Sequence, residues 1–89
     1  MNNTLAAQFE TYRPLLFGLA YRMLGTATEA EDIVQDVYLR ARAVPLAQVE
    51  NAKAYLTTIV TRLSLNRLQS ASQQRETYLG PWLPEPVLT

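Results

Sequence analysis

Apolar residues recur at intervals of three and four along three segments of this chain, which is the pattern of amphipathic α-helices. The segments are Leu5–Leu24, Thr28–Arg42 and, approximately, Ala52–Gln74. Because a chain of 89 residues buries only about 60% of its unfolded surface, all of its helices must share one core. The sequence therefore predicts an all-α fold, a compact bundle of three to four helices.

The first predicted helix has one apolar stripe and contains a proline. Its stripe consists of Leu5, Phe9, Tyr12, Leu16, Leu19 and Met23. Pro14 has no N–H to donate to the carbonyl of Glu10, so the sequence predicts either a kink or a fresh helix start at this proline. Gly25 is the residue type that most often ends a helix, and it predicts the end of this one.

The second predicted helix carries its charges in the order that a helix dipole favours. Thr28 and Glu31 have the spacing of a capping box, which predicts that the helix begins at Thr28. Acidic residues occupy the first turn, and Arg40 and Arg42 occupy the last. The predicted buried stripe is Ala30, Ile33, Val34, Val37 and Ala41.

Another face of this helix combines carboxylates with an exposed leucine. We call it the acidic face, and it consists of Asp32, Gln35, Asp36 and Leu39. Such a combination is typical of a docking surface, because the charges orient a partner and the apolar area contributes affinity. A merely solvated face is the alternative, because the helix dipole and an Asp36–Arg40 ion pair one turn apart also explain the carboxylates. That alternative leaves Leu39 unexplained.

The third predicted helix follows an irregular segment. The residues Val44–Glu50 include Pro45 and show no sustained period, which predicts a loop, and Asn51 can cap the helix after it. The predicted core residues of this helix are Ala52, Leu56, Ile59, Val60 and Leu63. Leu65 and Leu68 lie away from that stripe, which predicts neighbours on two sides and a central place in the bundle.

The polar side of the third helix has the residue types that proteins use to bind nucleic acids. It consists of Tyr55, Thr58, Arg62, Asn66, Gln69 and Gln73. Arginine contacts phosphate or guanine, asparagine and glutamine contact base edges, and tyrosine stacks on bases. The segment from Lys53 to Arg75 contains four bases and no acid, although the whole chain has a net charge of zero. A solvated helix face is again the alternative.

Composition argues against several functional classes. The chain has no cysteine and no histidine, so it lacks disulfides, zinc sites of the Cys and His type, and the usual general base. Capping and ion pairing account for Asp32 and Asp36 without acid–base chemistry, and we expect no enzyme activity and no cofactor. Because the sequence has neither a signal peptide nor an apolar run of about 20 residues, we expect a soluble, cytoplasmic protein without a membrane partner.

The end of the chain has a different composition. After Glu76 the sequence reads TYLGPWLPEPVLT, with one glycine and three prolines. This composition predicts an extended linker over residues 77–89, after a helical domain of residues 1–76. We expect the linker to make its contacts through Trp82, Leu83 and Pro84.

Two segments resemble region 2 of extracytoplasmic-function (ECF) sigma factors, the subunits that give bacterial RNA polymerase its promoter. They are GTATEAEDIVQDVYLRA at residues 25–41 and NAKAYLTTIVTRLSLNRL at residues 51–68. The resemblance covers roughly Phe9–Arg75 and rests on the order of acidic helix, loop and basic helix. The tail sequence ETYLGPWLPEP is also similar to the linker of the sigma subgroup that carries a SnoaL-like domain.

The resemblance implies a sigma-70 region 2-like fold with two binding surfaces. It implies that the acidic face docks on the β′ clamp helices of core RNA polymerase. It also implies that the loop and the third helix recognise and melt the promoter −10 element by binding its non-template strand. The DNA-contacting residues that it implies are Asn51, Lys53, Tyr55, Thr58, Arg62 and Asn66.

Further expectations come with the resemblance. The protein's own C-terminal domain or an anti-sigma factor is expected as an additional partner, and the chain is expected to be a fragment, because it has no region that reads the −35 element. Arg62 and Asn66 stand where many members have asparagine and aspartate, so base preference does not transfer. The rival hypothesis is a helical protein–protein regulatory module without DNA binding, in which Trp82 packs on a partner.

Overall fold

Three α-helices make up most of the structure, a computed structural model that describes residues 3–79, with side chains for residues 3–73. They are α1 (Phe9–Leu24), α2 (Ala27–Ala41) and α3 (Ala52–Leu79). Short 3-10 helices at Leu5–Gln8 and Leu46–Gln48 precede α1 and α3. This architecture confirms the predicted all-α bundle of three to four helices.

The core lies where the three helices meet, because α1 packs against both α2 and α3. All five residues of the predicted α2 stripe are buried. Leu16 and Ala20 of α1 and Leu56 and Val60 of α3 are fully buried against them. Each large aliphatic side chain buried in this way contributes about 1.5–3 kcal/mol, so a shared core stabilises helices that would be marginal alone.

The helix α1 runs through Pro14 without interruption, so the predicted fresh helix start is wrong. The change of helix type lies at Phe9, where the 3-10 turn passes into α-helix. Pro14 leaves the carbonyl of Glu10 without its helical donor, but Glu10 is an exposed first-turn residue whose carbonyl can bond water. The end of α1 is as predicted, since Gly25 has a φ of 89° and its N–H donates to the Tyr21 carbonyl at 2.8 Å.

The helix α2 begins earlier than predicted, with Thr26 rather than Thr28 as its N-cap. The Glu29 N–H donates to Oγ1 of Thr26 at 3.2 Å. Both threonines precede a glutamate by three residues, so the sequence contains two overlapping capping boxes. The earlier one forms because Gly25 ends α1 and leaves Thr26 in the extended conformation that an N-cap adopts.

The two threonines give a matched test of this cap. Thr26→Ala is expected to lower the free energy of unfolding by about 1 kcal/mol, because it removes the acceptor of the Glu29 N–H. Thr28→Ala makes the same change inside the helix, where alanine is favourable, and is expected to leave stability unchanged or slightly higher. Urea unfolding followed by circular dichroism measures both, and an equal loss for both variants would contradict the assignment.

The N-terminal segment holds the loop between α2 and α3. The N–H of Leu5 donates to the Val44 carbonyl at 2.8 Å, and the N–H of Leu46 donates to the Asn3 carbonyl at 2.7 Å. These two bonds flank an isolated antiparallel bridge between Thr4 and Pro45. The segment predicted as an irregular loop is therefore anchored at its start, which constrains where α3 begins.

The helix α3 lies on one side of the bundle. Leu65 and Leu68 are 46% and 41% exposed, so the neighbour predicted on their side of α3, and with it the predicted central place of α3, is wrong for the described part of the chain. Each helix packs against the other two, and α1 makes the most extensive contacts. Ser64 is fully buried, and its Oγ has no hydrogen-bond partner among the described residues. A small side chain there permits close helix packing, at the cost of an unsatisfied hydroxyl.

The helix α3 continues beyond the predicted end near Gln74 and reaches Leu79. The first residues that oppose a helix are Gly80 and Pro81, later than the predicted linker start after Glu76. The expected linker contacts, Trp82, Leu83 and Pro84, lie outside the described residues. Although α3 has 28 residues, neither it nor another described helix is apolar enough to span a bilayer.

Candidate functional site

The acidic face of α2 is exposed along its whole length, with Asp32, Gln35, Asp36 and Leu39 all open to solvent. Leu39 is 51% exposed, whereas the other aliphatic residues of α2, Ile33, Val34 and Val37, are buried. The helix thus uses its opposite stripe for the core. This arrangement leaves an apolar side chain beside the carboxylates on the surface.

No ion pair within residues 3–73 occupies the acidic face. Among residues 3–73, ion pairs within 4.0 Å join Glu10 to Arg13 and Glu29 to Arg67, and the Asp36–Arg40 pair invoked by the solvated-face alternative does not form. The effect of the helix dipole fades beyond the first turn, so it does not explain Asp36 either. The carboxylate of Asp36 is therefore available to a cationic partner.

A groove between α1 and α2 adjoins the acidic face and has a volume of about 740 Å³. Its lining residues are Phe9, Glu10, Arg13, Pro14, Phe17, Glu31, Val34, Gln35 and Tyr38. Gln35 belongs to both surfaces. The rings of Phe9 and Tyr38 pack edge to face with centroids 5.1 Å apart, which joins the start of α1 to the end of α2. Periodicity along one helix could not reveal a groove formed by two.

A second groove, the α3 groove, lies at the start of α3 and has a volume of about 490 Å³. Its lining residues are Glu50, Asn51, Ala54, Tyr55, Thr58, Ile59 and Arg62. It brings together four of the six residues expected to contact DNA, because the spacing of Tyr55, Thr58 and Arg62 places them on one helix face. The other two, Lys53 and Asn66, are exposed but do not line it.

Hydrogen bonds within α3 decide which polar groups of the α3 groove remain free. Oδ1 of Asn51 accepts from the Ala54 N–H at 3.0 Å, which confirms the predicted cap and leaves the amide NH₂ to donate. Oγ1 of Thr58 donates to the Ala54 carbonyl at 2.9 Å, so its oxygen can still accept. Arg62 makes no ion pair within residues 3–73. With Tyr55 41% exposed, the groove offers two donors and an aromatic ring.

The charges around α3 are less uniform than the sequence indicates. Nη1 of Arg67 lies 3.7 Å from Oε1 of Glu29 on α2, so one of the four bases of this segment already has an acidic partner. Glu50 lines the α3 groove and adds a carboxylate to a surface predicted to lack acids. Sequence reasoning missed Glu50 because it precedes the helix. Helical periodicity assigns a face only to residues within a helix, so it could not place Glu50 next to Tyr55 and Arg62.

Comparison with known proteins agrees with the resemblance. The family model for sigma-70 region 2 matches residues 8–74. The ECF RNA polymerase sigma factor SigJ of Mycobacterium tuberculosis H37Rv is 49% identical over 83 residues, which are 93% of this chain and 26% of SigJ. The probable ECF RNA polymerase sigma factor SigI of M. tuberculosis CDC 1551 is 32% identical over 75 residues, which are 84% of this chain and 26% of SigI.

The chain thus spans about a quarter of the length of these relatives. No solved structure gives a significant match. The range matched by the family model contains α1, α2, the acidic face and the α3 groove. The chain therefore belongs to the sigma-70 region 2 family, and the relatives that it resembles are ECF sigma factors.

Proposed function

We propose that this chain is the module of an ECF sigma factor that joins core RNA polymerase to the promoter −10 element in transcription initiation. The acidic face of α2 binds the polymerase, and the α3 groove with its surroundings binds DNA. The observation that supports this division most directly is that the two surfaces lie on different helices and are both exposed. Two partners of opposite charge can then bind at the same time, which suits a chain of zero net charge.

The acidic face docks on the clamp helices of the β′ subunit. Asp32 and Asp36 attract basic side chains and orient the partner, while the exposed Leu39 supplies apolar area next to them. The neighbouring groove between α1 and α2 extends this surface with aromatic side chains. The absence of an Asp36–Arg40 pair supports the proposal, because the carboxylate does not have to break an internal ion pair to bind.

The α3 groove accepts one unstacked base of the non-template −10 strand. Taking a base out of the stack costs a few kcal/mol, and stacking on an aromatic ring such as Tyr55 returns about 1–3 kcal/mol. Asn51 and Arg62 donate hydrogen bonds to the base or its phosphate. Lys53 and Asn66, which are exposed outside the groove, contact the neighbouring backbone.

The sequence of the C-terminal tail supports a more specific assignment within the ECF sigma factors. The WLPEP motif supports membership of the subgroup with a SnoaL-like domain, which Trp82, Leu83 and Pro84 would contact. An anti-sigma factor is a further partner in this proposal. The module works in the cytoplasm, where the polymerase is, and it acts by binding rather than by catalysis.

Arg62→Ala is expected to weaken the binding of single-stranded −10-like oligonucleotides about tenfold, because Arg62 is a cation of the α3 groove that makes no ion pair within residues 3–73. If Arg62 and Lys53 each contact a phosphate, the slope of log K against log salt is about −1.4, and the variant halves it to about −0.7. Fluorescence anisotropy over a salt series measures both quantities. Binding to the polymerase should not change.

Arg67→Ala is the matched control, since it removes the same charge from a residue paired with Glu29 outside the α3 groove. We expect near-wild-type affinity and slope for this variant. An equal loss in both variants, or binding that is independent of salt, would contradict the role given to Arg62. Wild-type protein that shows no sequence-dependent binding at any salt would favour the protein–protein regulatory module.

A further inference from the structure

Glu50 is the only acidic residue among those that line the α3 groove. A carboxylate beside single-stranded DNA repels phosphates, so it lowers affinity unless it forms a compensating contact. Its place directly before Asn51, the N-cap of α3, would give a favourable interaction with the helix dipole. The dipole accounts for an acid near this helix end, but not for a carboxylate in the same groove as Tyr55 and Arg62.

Glu50 supplies a charged hydrogen-bond acceptor, whereas the other acceptors among the described residues of the groove are neutral. The amide oxygen of Asn51 is occupied by the Ala54 N–H, so Asn51 presents its donor end. Arg62 can only donate. The oxygen of Thr58 is a neutral acceptor on a hydroxyl that already donates within the helix. The carboxylate of Glu50 is therefore the strong acceptor of the α3 groove.

A strong acceptor binds the four bases with different affinities, because their exocyclic groups differ. Adenine, cytosine and guanine each carry an exocyclic amino group, whereas the one donor of the thymine edge, N3–H, lies between two carbonyl oxygens. A carboxylate accepts from an amine, as when acidic side chains accept from N4 of cytosine, but the two carbonyl oxygens beside N3–H of thymine repel it. Asn51 can meanwhile donate to a ring nitrogen or carbonyl oxygen of the same base, and Arg62 can donate to its phosphate.

We infer that Glu50 makes the α3 groove selective for a base with an exocyclic amino group and against thymine. The inference rests on the proposed function, because it requires a base in the groove. Glu50 accepts from the amine, Tyr55 stacks on the ring, Asn51 donates to an acceptor of the base, and Arg62 donates to its phosphate. The carboxylate lowers overall affinity by repelling phosphates, and it raises selectivity for the base at one position.

Selection from a pool of single-stranded oligonucleotides with randomised positions tests the selectivity. The chain and its Glu50→Gln variant are each incubated with the pool, and the bound strands are sequenced. Wild-type protein is expected to deplete thymine about tenfold at one position, the effect of one hydrogen bond to a charged group. Glu50→Gln should reduce this depletion to about twofold, because an amide donates as well as accepts, and should raise overall affinity.

Base analogues test the amine itself. The base selected at that position is replaced by the analogue that lacks only the amino group: pyrimidin-2-one for cytosine, purine for adenine or inosine for guanine. Wild-type protein should lose about tenfold in affinity, and Glu50→Gln should lose much less. Glu29→Gln, which removes the same charge on α2 at a residue outside both grooves and the acidic face, should keep the wild-type response to the amine.

Each outcome separates the inference from the proposed function. Equal thymine depletion by wild type and Glu50→Gln, or binding without depletion, would overturn the inference and leave the DNA site intact. A variant with a lower unfolding midpoint but unchanged base selectivity would show that Glu50 acts only on the helix dipole, and would overturn it too. Wild-type protein that binds no oligonucleotide would overturn the proposed DNA site and the inference with it.

Discussion

Asp36→Arg is expected to weaken binding to core RNA polymerase at least about thirtyfold while leaving single-strand DNA binding unchanged. The side chain of Asp36 is exposed and makes no ion pair within the described residues, so the reversal acts on the partner rather than on the fold. Replacing attraction by repulsion at the centre of a docking surface costs about 2 kcal/mol or more. Titration of a labelled β′ clamp-helix fragment with the variant measures the loss.

Glu50→Arg is the matched control for this reversal, because it makes the same change of charge in the α3 groove. It should bind the clamp-helix fragment as the wild type does and bind single strands more tightly. Normal fragment binding by Asp36→Arg would refute the docking assignment. A similar loss in both variants would show that net charge, rather than the acidic face, governs the interaction.

Leu56→Ala is expected to lower the free energy of unfolding by about 2–5 kcal/mol, because Leu56 is fully buried where α3 meets the bundle and its truncation leaves a cavity. Small domains have total stabilities of about 5–15 kcal/mol, so a large share of stability is lost. The midpoint of thermal unfolding should fall by at least about 10 °C in a domain of this size. Thermal and urea unfolding followed by circular dichroism measure the effect.

Leu65→Ala makes the same chemical change on the same helix, at a residue that is 46% exposed. Its effect should stay within about 0.5 kcal/mol, as expected for a surface substitution. The pair therefore tests the position of α3 at the side of the bundle. A loss at Leu65 as large as that at Leu56 would instead support the second neighbour that the apolar pattern predicted.

The features predicted correctly are those that depend on residues close together in the chain. The five-residue stripe of α2 is buried as predicted, since one face of a helix follows from its period alone. Asn51 caps α3, and Gly25 ends α1, for equally local reasons. Exposure of the acidic face followed from the same periodicity, whereas the role of that face in docking came from the resemblance and stays a prediction.

The errors arose where two local signals competed or where a partner lay far away in the chain. The two capping boxes were equivalent by spacing, and the end of α1 at Gly25 selected Thr26. The Asp36–Arg40 pair of the solvated-face alternative is not formed either, since a spacing of one turn permits an exposed ion pair but stabilises it by only a few tenths of a kcal/mol. Apolar spacing placed Leu65 and Leu68 in a second contact that the bundle does not make.

The sequence by itself determined that the chain forms amphipathic helices with separate acidic and basic faces, because a helical period fixes side-chain direction within one element. Only the tertiary structure decided how these faces combine with the rest of the chain. It placed Glu50, which lies in a loop anchored by the N-terminal segment, in the α3 groove with Arg62, and it paired Arg67 with Glu29. Contacts between distant segments depend on how the helices pack, which no periodicity within one helix encodes.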